Sequence, residues 1–265
     1  MRKAIFSLCL LVVASTPNMV ADTLTLAHKT SEMRVPLSRG NIECNIDAQM
    51  PIGANKTLIE NLSGRIALAV AKALDTKSAL GNQMVAFSGI EEHFATHMMS
   101  QLKTLQRDAK ATGLTLDVVV KREYETSRLV TFVIEVTHYG LDAKRHQVTE
   151  RISLLKQNGK ALQWNDLMDK KQKAKLCKAA SRSLYGFFGV VDFRNLKNAL
   201  SANQQGVSEA NFPLPAGGPA INADGLCFAY DAGEIASPDR GQPVGSVKLQ
   251  SVWGCFNATA KKWLK

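Results

Sequence analysis

The sequence is poor in the residue patterns that mark well-known catalytic or cofactor sites. Only 6% of its 265 residues are aromatic, and its five cysteines form no CxxC pair or Cys–His cluster. It has no GxGxxG, P-loop or GxSxG motif, so dinucleotide sites, phosphate cradles and hydrolase elbows lack the backbone pattern they need. The missing Cys–His spacing argues against a zinc site. We therefore expect no cofactor and no metal, and we predict that the protein is not an enzyme.

Acidic residues are also scarce relative to basic ones. The chain carries 33 Lys and Arg against 23 Asp and Glu, a formal net charge of +10, with 45% hydrophobic and 21% charged residues. This composition is typical of a globular protein and excludes collagen and a disordered tail. Beyond the N-terminus, no apolar run approaches the ~20 residues of a spanning helix, so we expect no integral membrane span in the mature chain.

The N-terminus has the layout of a secretory signal peptide. Arg2 and Lys3 precede an eleven-residue stretch, residues 4–14, which is apolar except for one serine, and Pro17 and Ala21 follow. A basic start, a short apolar core and a small residue at the cleavage point predict removal of residues 1–21. The alternative is a retained anchor. Cleavage leaves 31 basic and 23 acidic residues, a net +8, and predicts a periplasmic or secreted location.

The remaining cysteines are even in number. Cleavage removes Cys9 and leaves Cys44, Cys177, Cys227 and Cys255. An even count in an oxidising compartment permits two disulfides, and three pairings stay open because spacing cannot choose among them.

The order of periodic segments predicts an α+β fold. Residues 34–50 read as extended, Asn55 is placed to cap a helix, and Ile90 begins a second apolar helical stripe. Residues 114–124, 129–138 and 147–156 then read as strands, Asn158-Gly159 as a hairpin turn before a short fourth strand, residues 175–188 and 193–200 as helices, and 243–253 as a last strand. We predict an antiparallel sheet with helices packed on one face, in a single compact domain.

Two polar clusters stand out from this pattern. His93 and His97 lie four residues apart on a predicted helix, where two imidazoles can share a face, but an amphipathic helix with two polar positions is the interpretation that we favour. The densest charge run consists of Lys170, Lys171, Lys173, Lys175 and Lys178. It is either a solvated helix face or a surface for an anionic partner. Nucleic acid is not expected, because no aromatic and basic ladder accompanies the lysines.

Several motifs carry a family resemblance. They are residues 128–139 (RLVTFVIEVTHY), 159–167 (GKALQWNDL), Asn211-Phe212, 223–230 (ADGLCFAY), 233–237 (GEIAS), and Gly241 with the strand at 244–249. Their order resembles the RsiV C-terminal-like domain family, and residues 42–74 resemble its companion N-terminal module. The resemblance divides the mature chain into an N-terminal module (34–123), a C-terminal-like module (124–255) and a basic tail (256–265).

The resemblance implies a function in the cell envelope. Such modules occur in an anti-sigma factor that senses lysozyme, beside peptidoglycan deacetylase domains, and alone in secreted proteins; the family's short GGAH loop is here the longer, more basic 140–146. We predict a secreted, non-enzymatic binding protein whose partner is an envelope polymer or a secreted protein such as lysozyme. Its alternatives are a lysozyme inhibitor and a peptidoglycan hydrolase. The predicted ligand-binding residues are His138, Gly140, His146, Tyr230 and Glu234.

Some of these residues have a structural interpretation as well. Gly140, Gly225, Gly233 and Gly241 suit turns with positive φ. Glu234 suits a hydrogen bond that caps a turn. His138 and His146 form either a pH-sensitive pair or packed side chains.

Overall fold

The computed structural model describes residues 23–37, 40–74, 89–104, 113–141 and 144–265. Contacts divide the chain into two compact units. Unit 1 comprises the described residues up to Lys121 together with Ile134–Thr149, and unit 2 comprises Arg122–Val133 and Glu150–Lys265. The predicted signal peptide lies outside the described residues. Within them, no helix is long and apolar enough to cross a membrane.

The larger sheet has five strands in the order β1-β2-β3-β4-β5. These are β1 (Leu26–Pro36), β2 (Asn41–Pro51), β3 (Leu114–Glu125), β4 (Leu129–Tyr139) and β5 (Arg145–Leu155). β1 pairs antiparallel with β2, but β2 pairs parallel with β3. The α+β class is confirmed, although the sheet is mixed. The reason is the long connection between β2 and β3, which contains two helices and returns the chain in the same direction.

Two amphipathic helices of unit 1 form as predicted. Helix α1 (Lys56–Ala73) begins where the Asn55 side chain accepts a hydrogen bond from the Thr57 amide (2.9 Å), and Leu58, Leu62 and Ile66 are buried at helical spacing. Helix α2 (Ile90–Thr104) buries Ile90, Phe94, Met98 and Leu102.

Unit 2 combines short helices with a three-stranded antiparallel sheet. The helices are α3 (Trp164–Leu167), α4 (Lys173–Ser183), α5 (Tyr185–Phe188), α6 (Phe193–Ala199), α7 (Leu249–Val252) and α8 (Ala258–Trp263). The sheet has the order β6-β7-β8, with β6 (Ala220–Asn222), β7 (Gly225–Ala229) and β8 (Val244–Val247). The basic C-terminal residues belong to this unit, since Phe256, Ala260 and Leu264 are buried in its core.

A tight turn between β6 and β7 requires glycine. Gly225 has φ +132°, and a Cβ atom there would lie 2.9 Å from the Cα of Lys248. The Asn222 side chain accepts hydrogen bonds from the Asp224 and Gly225 amides (3.1 and 3.0 Å) and closes the turn. The positive φ predicted for Gly225 is confirmed, as it is for Gly233 and Gly241, whereas the prediction is wrong for Gly140, which directly follows β4 without a positive φ.

Three predicted strands differ from the structure. The extended segment 34–50 is in fact the end of β1 and most of β2, because Gly40 (φ +102°) turns the chain between them. The strand expected after Asn158-Gly159 is reduced to one bridge between Leu154 and Ala161. The last predicted strand ends at Val247, and the residues after Lys248 form α7, which buries Val252.

Candidate functional site

The histidines predicted as a pair lie together in unit 1. His138 on β4 is buried, and its Nδ1 lies 3.0 Å from the Thr115 carbonyl oxygen, to which it donates. Its ring meets the edge of Phe94 (5.7 Å) and stacks on exposed His146 of β5 (5.9 Å, 26°). Gly140 follows β4 directly and is half-buried. His146 is therefore the residue of this group that a ligand can reach, whereas the buried His138 packs against the His146 ring.

The two histidines of α2 stack on each other. The rings of His93 and His97 lie 6.4 Å apart at 12°, and His97 Nε2 is 3.0 Å from the Gln101 amide nitrogen. Because the Gln101 amide nitrogen can only donate, Nε2 of His97 is the acceptor in this hydrogen bond. The bond therefore uses the lone pair of Nε2. Burial, and secondarily the neighbouring His93, lower the pKa of His97. Across the described part of the chain, no three His, Cys, Asp or Glu side chains come close enough to hold a metal ion.

The side chains of Tyr230 and Glu234 form hydrogen bonds with backbone groups of unit 2. Tyr230 is buried, and its hydroxyl donates to the Pro213 carbonyl (2.8 Å); burial is the main cause that raises its pKa. Glu234 accepts hydrogen bonds from the Ala216 amide (2.7 Å) and the Asp231 amide (2.8 Å), one on each oxygen. The structural interpretation of Glu234 as a turn-capping carboxylate is confirmed. These two residues hold the segment 213–216 in place.

The lysines of the charge run are exposed and lie at the start of helix α4. The Asp169 side chain accepts from the Lys171 amide (2.9 Å) and caps a short 3-10 helix (Lys170–Gln172), after which α4 begins at Lys173. No acidic residue lies in the first turn of α4. The N-terminus of a helix carries a partial positive charge. The positive charges of these lysines therefore add to the positive electrostatic potential of the helix dipole at this point.

A groove of about 610 Å³ opens beside three of these lysines. It is lined by the segments 164–174 and 210–214, including Lys170, Lys171, Lys173, Trp164 and Phe212. We call it the basic groove. Two contacts fix the Trp164 ring: one face stacks on Phe228 (5.5 Å, 8°), and the indole nitrogen donates to the Pro215 carbonyl (2.8 Å). The groove therefore presents cations next to rigid apolar and aromatic surface.

The lysines of the run differ in their partners. Lys178 lies 3.5 Å from the Glu209 carboxylate, which also accepts from Arg182 (3.2 Å). By contrast, among the residues that the structure describes, no carboxylate pairs with the ammonium group of Lys170, Lys171 or Lys173. The predicted anionic-partner surface thus separates into three unpaired groove lysines, an ion-paired Lys178, and Lys175 outside the groove lining.

The predicted disulfides are absent from the structure. Cys44, Cys177, Cys227 and Cys255 are all buried free thiols. Each occupies a core position on its own element and packs as a small apolar side chain: β2, α4, β7 and the turn after α7 respectively. Burial, with smaller effects of Glu91 and Asp117, raises the pKa of Cys44 to about 12, and burial also raises the pKa of the other three. Such thiols stay protonated and unreactive.

The sequence indicated the lysines of the basic groove but not its walls. Trp164 and Phe212 were noted only as parts of family motifs, because nothing in the sequence shows that residues 210–214 return to the start of α4. Trp164 is the first residue of the short helix α3. A tryptophan at that start was the one signal that could have suggested a binding surface.

Comparisons with known proteins show the fold. No family model matches the chain, and no curated protein does. A DUF3298 family member from Bacteroides fragilis superposes with a TM-score of 0.64 at 14% identity, covering 89% of this chain and 94% of its own. A DUF3298 family protein from Pseudomonas aeruginosa gives 0.62 at 15% identity, covering 91% and 97%. The chain therefore shares the fold of DUF3298 proteins, a group of unknown function.

Proposed function

We propose that the protein is an exported, non-enzymatic binding protein that holds an anionic polymer of the cell envelope in the basic groove. The observation that carries this proposal is the cluster of three exposed lysines, which pair with no carboxylate of the described residues, at the edge of a groove with an aromatic wall. Binding sites combine apolar surface with a few convergent polar groups, and this groove has both. The N-terminal layout of a signal peptide supports export.

The chemistry of the groove favours a polymer with repeated acidic groups. Three ammonium groups from Lys170, Lys171 and Lys173 lie within four residues, so they suit several carboxylates or phosphates in sequence. The fixed ring of Trp164 offers a flat apolar face, which suits the apolar face of a sugar ring. An acidic glycan satisfies both features.

The same charges disfavour lysozyme as the groove's ligand. Animal-type lysozyme is itself basic, and like charges brought together at an interface weaken binding. A lysozyme-binding role would need an acidic surface, which the basic groove does not provide. The resemblance to the sensor family keeps lysozyme as an alternative that the experiment below tests directly.

The experiment measures retention of residues 22–265 on purified peptidoglycan that carries its acidic polymers. We expect retention that weakens as salt is raised, since exposed charges are screened. The variant Lys170→Glu/Lys171→Glu should bind at least about tenfold more weakly, because each reversal changes the interaction by roughly 1 kcal/mol or more. The matched control, Lys262→Glu/Lys265→Glu, changes the net charge equally at two exposed lysines of the same unit.

Three outcomes contradict the proposal. Equal loss of binding in both variants would show that total charge, not the groove, holds the polymer. Retention on immobilised lysozyme at low salt, with none on peptidoglycan, would favour the lysozyme-binding alternative. Release of soluble muropeptides from peptidoglycan by the purified chain would show a hydrolase.

A further inference from the structure

An exposed apolar segment of unit 2 comprises the short helix α5 and the loop that connects it to α6. Its sequence, residues 185–192, is YGFFGVVD. Val191 is 84% exposed and Phe187 is 40% exposed, and both belong to the few large hydrophobic side chains on the described surface. Single exposed apolar residues need no explanation, but two that project from one short loop indicate a contact surface.

The loop is held in one conformation. Gly189 has φ +64°, and the Val190 amide donates to the Tyr185 carbonyl (2.9 Å), while the Phe188 amide donates to the Leu184 carbonyl (3.1 Å). Phe188 and Val190 pack against the core of the unit. The chain thus alternates between anchored and projecting side chains: Phe188 and Val190 face the core, and Phe187 and Val191 stand out from it.

Basic residues flank the loop on both sides. Between positions 178 and 197 there are four Lys or Arg residues and one acidic residue, Asp192. Lys178 and Arg182 pair with Glu209, so the positive charge beside the loop comes from Arg194 and Lys197. Asp192 is occupied as the N-cap of α6, where it accepts from the Asn195 amide (2.8 Å). Arg194 and Lys197 follow on α6, and within the described residues no carboxylate pairs with either.

We infer that this loop, which we call the apolar loop, inserts Phe187 and Val191 into the surface of an anionic phospholipid bilayer. Projecting apolar side chains enter the boundary between headgroups and acyl chains, and adjacent cations bind the anionic headgroups. The charge selects an anionic membrane over a second copy of the chain, because the same loop on a second copy would bring its own excess of positive charge. The rigid backbone lowers the ordering cost of insertion.

The test is co-sedimentation of residues 22–265 with vesicles of phosphatidylcholine, with and without phosphatidylglycerol. Binding should require the anionic lipid and weaken with salt. The variant Phe187→Ser/Val191→Ser should lower the partition coefficient by about tenfold or more. The matched control is Ile52→Ser/Leu68→Ser, which removes two side chains of unit 1 that are 47% and 43% exposed and should leave binding unchanged.

A second measurement locates the loop directly. Because the four native thiols of the described residues are buried, Val191→Cys can be labelled with an environment-sensitive dye under native conditions. Its emission should shift to the blue when anionic vesicles are added, whereas a dye on Ile52→Cys should not respond. The groove variant Lys170→Glu/Lys171→Glu should retain most of its vesicle binding, which separates this inference from the proposed polymer binding.

Several results would overturn the inference. They are equal sedimentation of the wild type and Phe187→Ser/Val191→Ser, the same loss in the unit 1 control, and an unresponsive dye at position 191. A loop variant that instead converts a wild-type dimer to a monomer, without vesicles, would assign the loop to a contact between copies. Circular dichroism of each variant confirms that the chain is folded.

Discussion

Two regions of unit 2 use basic side chains in opposite ways. Near the end of β3, Glu125 contacts both Arg122 and Lys156, and the side chains of Lys156 and Glu125 are only 11% and 13% exposed. In the neighbouring pair, Arg151 donates to both oxygens of Glu123 at 3.1 and 3.0 Å. In the basic groove, three lysines are exposed, and no carboxylate in the part of the chain that the structure describes pairs with them.

The difference separates structural cations from available ones. A cation that is paired and shielded contributes to folding, and its removal leaves an opposite charge uncompensated. A solvated, unpaired lysine contributes little to folding but can bind an anion at low desolvation cost. The comparison therefore predicts graded losses of stability, with the largest where charges are buried and paired.

The largest loss is expected for Glu125→Gln. This change removes the carboxylate that Lys156 and Arg122 contact, and we expect the free energy of unfolding to fall by about 2 to 4 kcal/mol. Urea denaturation followed by circular dichroism measures it. The double variant Glu125→Gln/Lys156→Met serves as the control, because removing both charges should recover part of the loss. A change below about 0.5 kcal/mol in the single variant would contradict the comparison.

An intermediate loss is expected for Glu209→Gln. Desolvation opposes ionisation of Glu209, but hydrogen bonds from Arg182 and the Tyr185 hydroxyl outweigh it and lower the pKa of this carboxyl. Removal of the charge should cost about 1 kcal/mol at neutral pH.

The pH dependence of this loss has a defined sign. Because the pKa of Glu209 is lower in the folded state, its stabilisation is present above the unfolded pKa and disappears as the pH falls through the folded pKa. The difference in stability between the wild type and Glu209→Gln should therefore shrink when denaturation is repeated in progressively more acidic buffer. A difference that grows on acidification would be the opposite of this expectation.

The smallest effect is expected in the basic groove. The triple variant Lys170→Ala/Lys171→Ala/Lys173→Ala should change the free energy of unfolding by less than about 0.5 kcal/mol, because the side chains are solvated. A slight gain is expected, since lysines at a helix start oppose its dipole. A thermal melt measures the change, and a loss of more than about 1 kcal/mol would mean that these lysines are structural after all.

Local signals in the sequence were sufficient for much of the fold. The Asn55 cap, the apolar stripes of α1 and α2 and the strand pair 114–124 and 129–138 depend on neighbouring residues, and the structure has all of them. The parallel pairing of β2 with β3 was not predictable in this way, because register between distant strands leaves no local pattern.

The candidate site shows the same limit. A run of lysines is visible in any sequence, but their separation into paired and unpaired members depends on Glu209, more than thirty residues after Lys178. The prediction of disulfides was wrong for a related reason. The number of cysteines shows whether all of them can pair, but it does not show the distances between their sulfur atoms. In the structure each thiol occupies a core position and is not bonded to another.

The two units alternate along the sequence, and this alternation determines the order in which their residues can fold. Unit 1 needs residues up to Thr149, and unit 2 takes Arg122–Val133 from within that span. During synthesis, which starts at the N-terminus, β2 is complete before β3 has been made. The edge of β2 that pairs with β3 therefore stays open while the chain grows, because Ile42 pairs with Leu114, 72 residues later. Contacts of such long range slow folding. Until β3 pairs with it, this edge can pair with another chain.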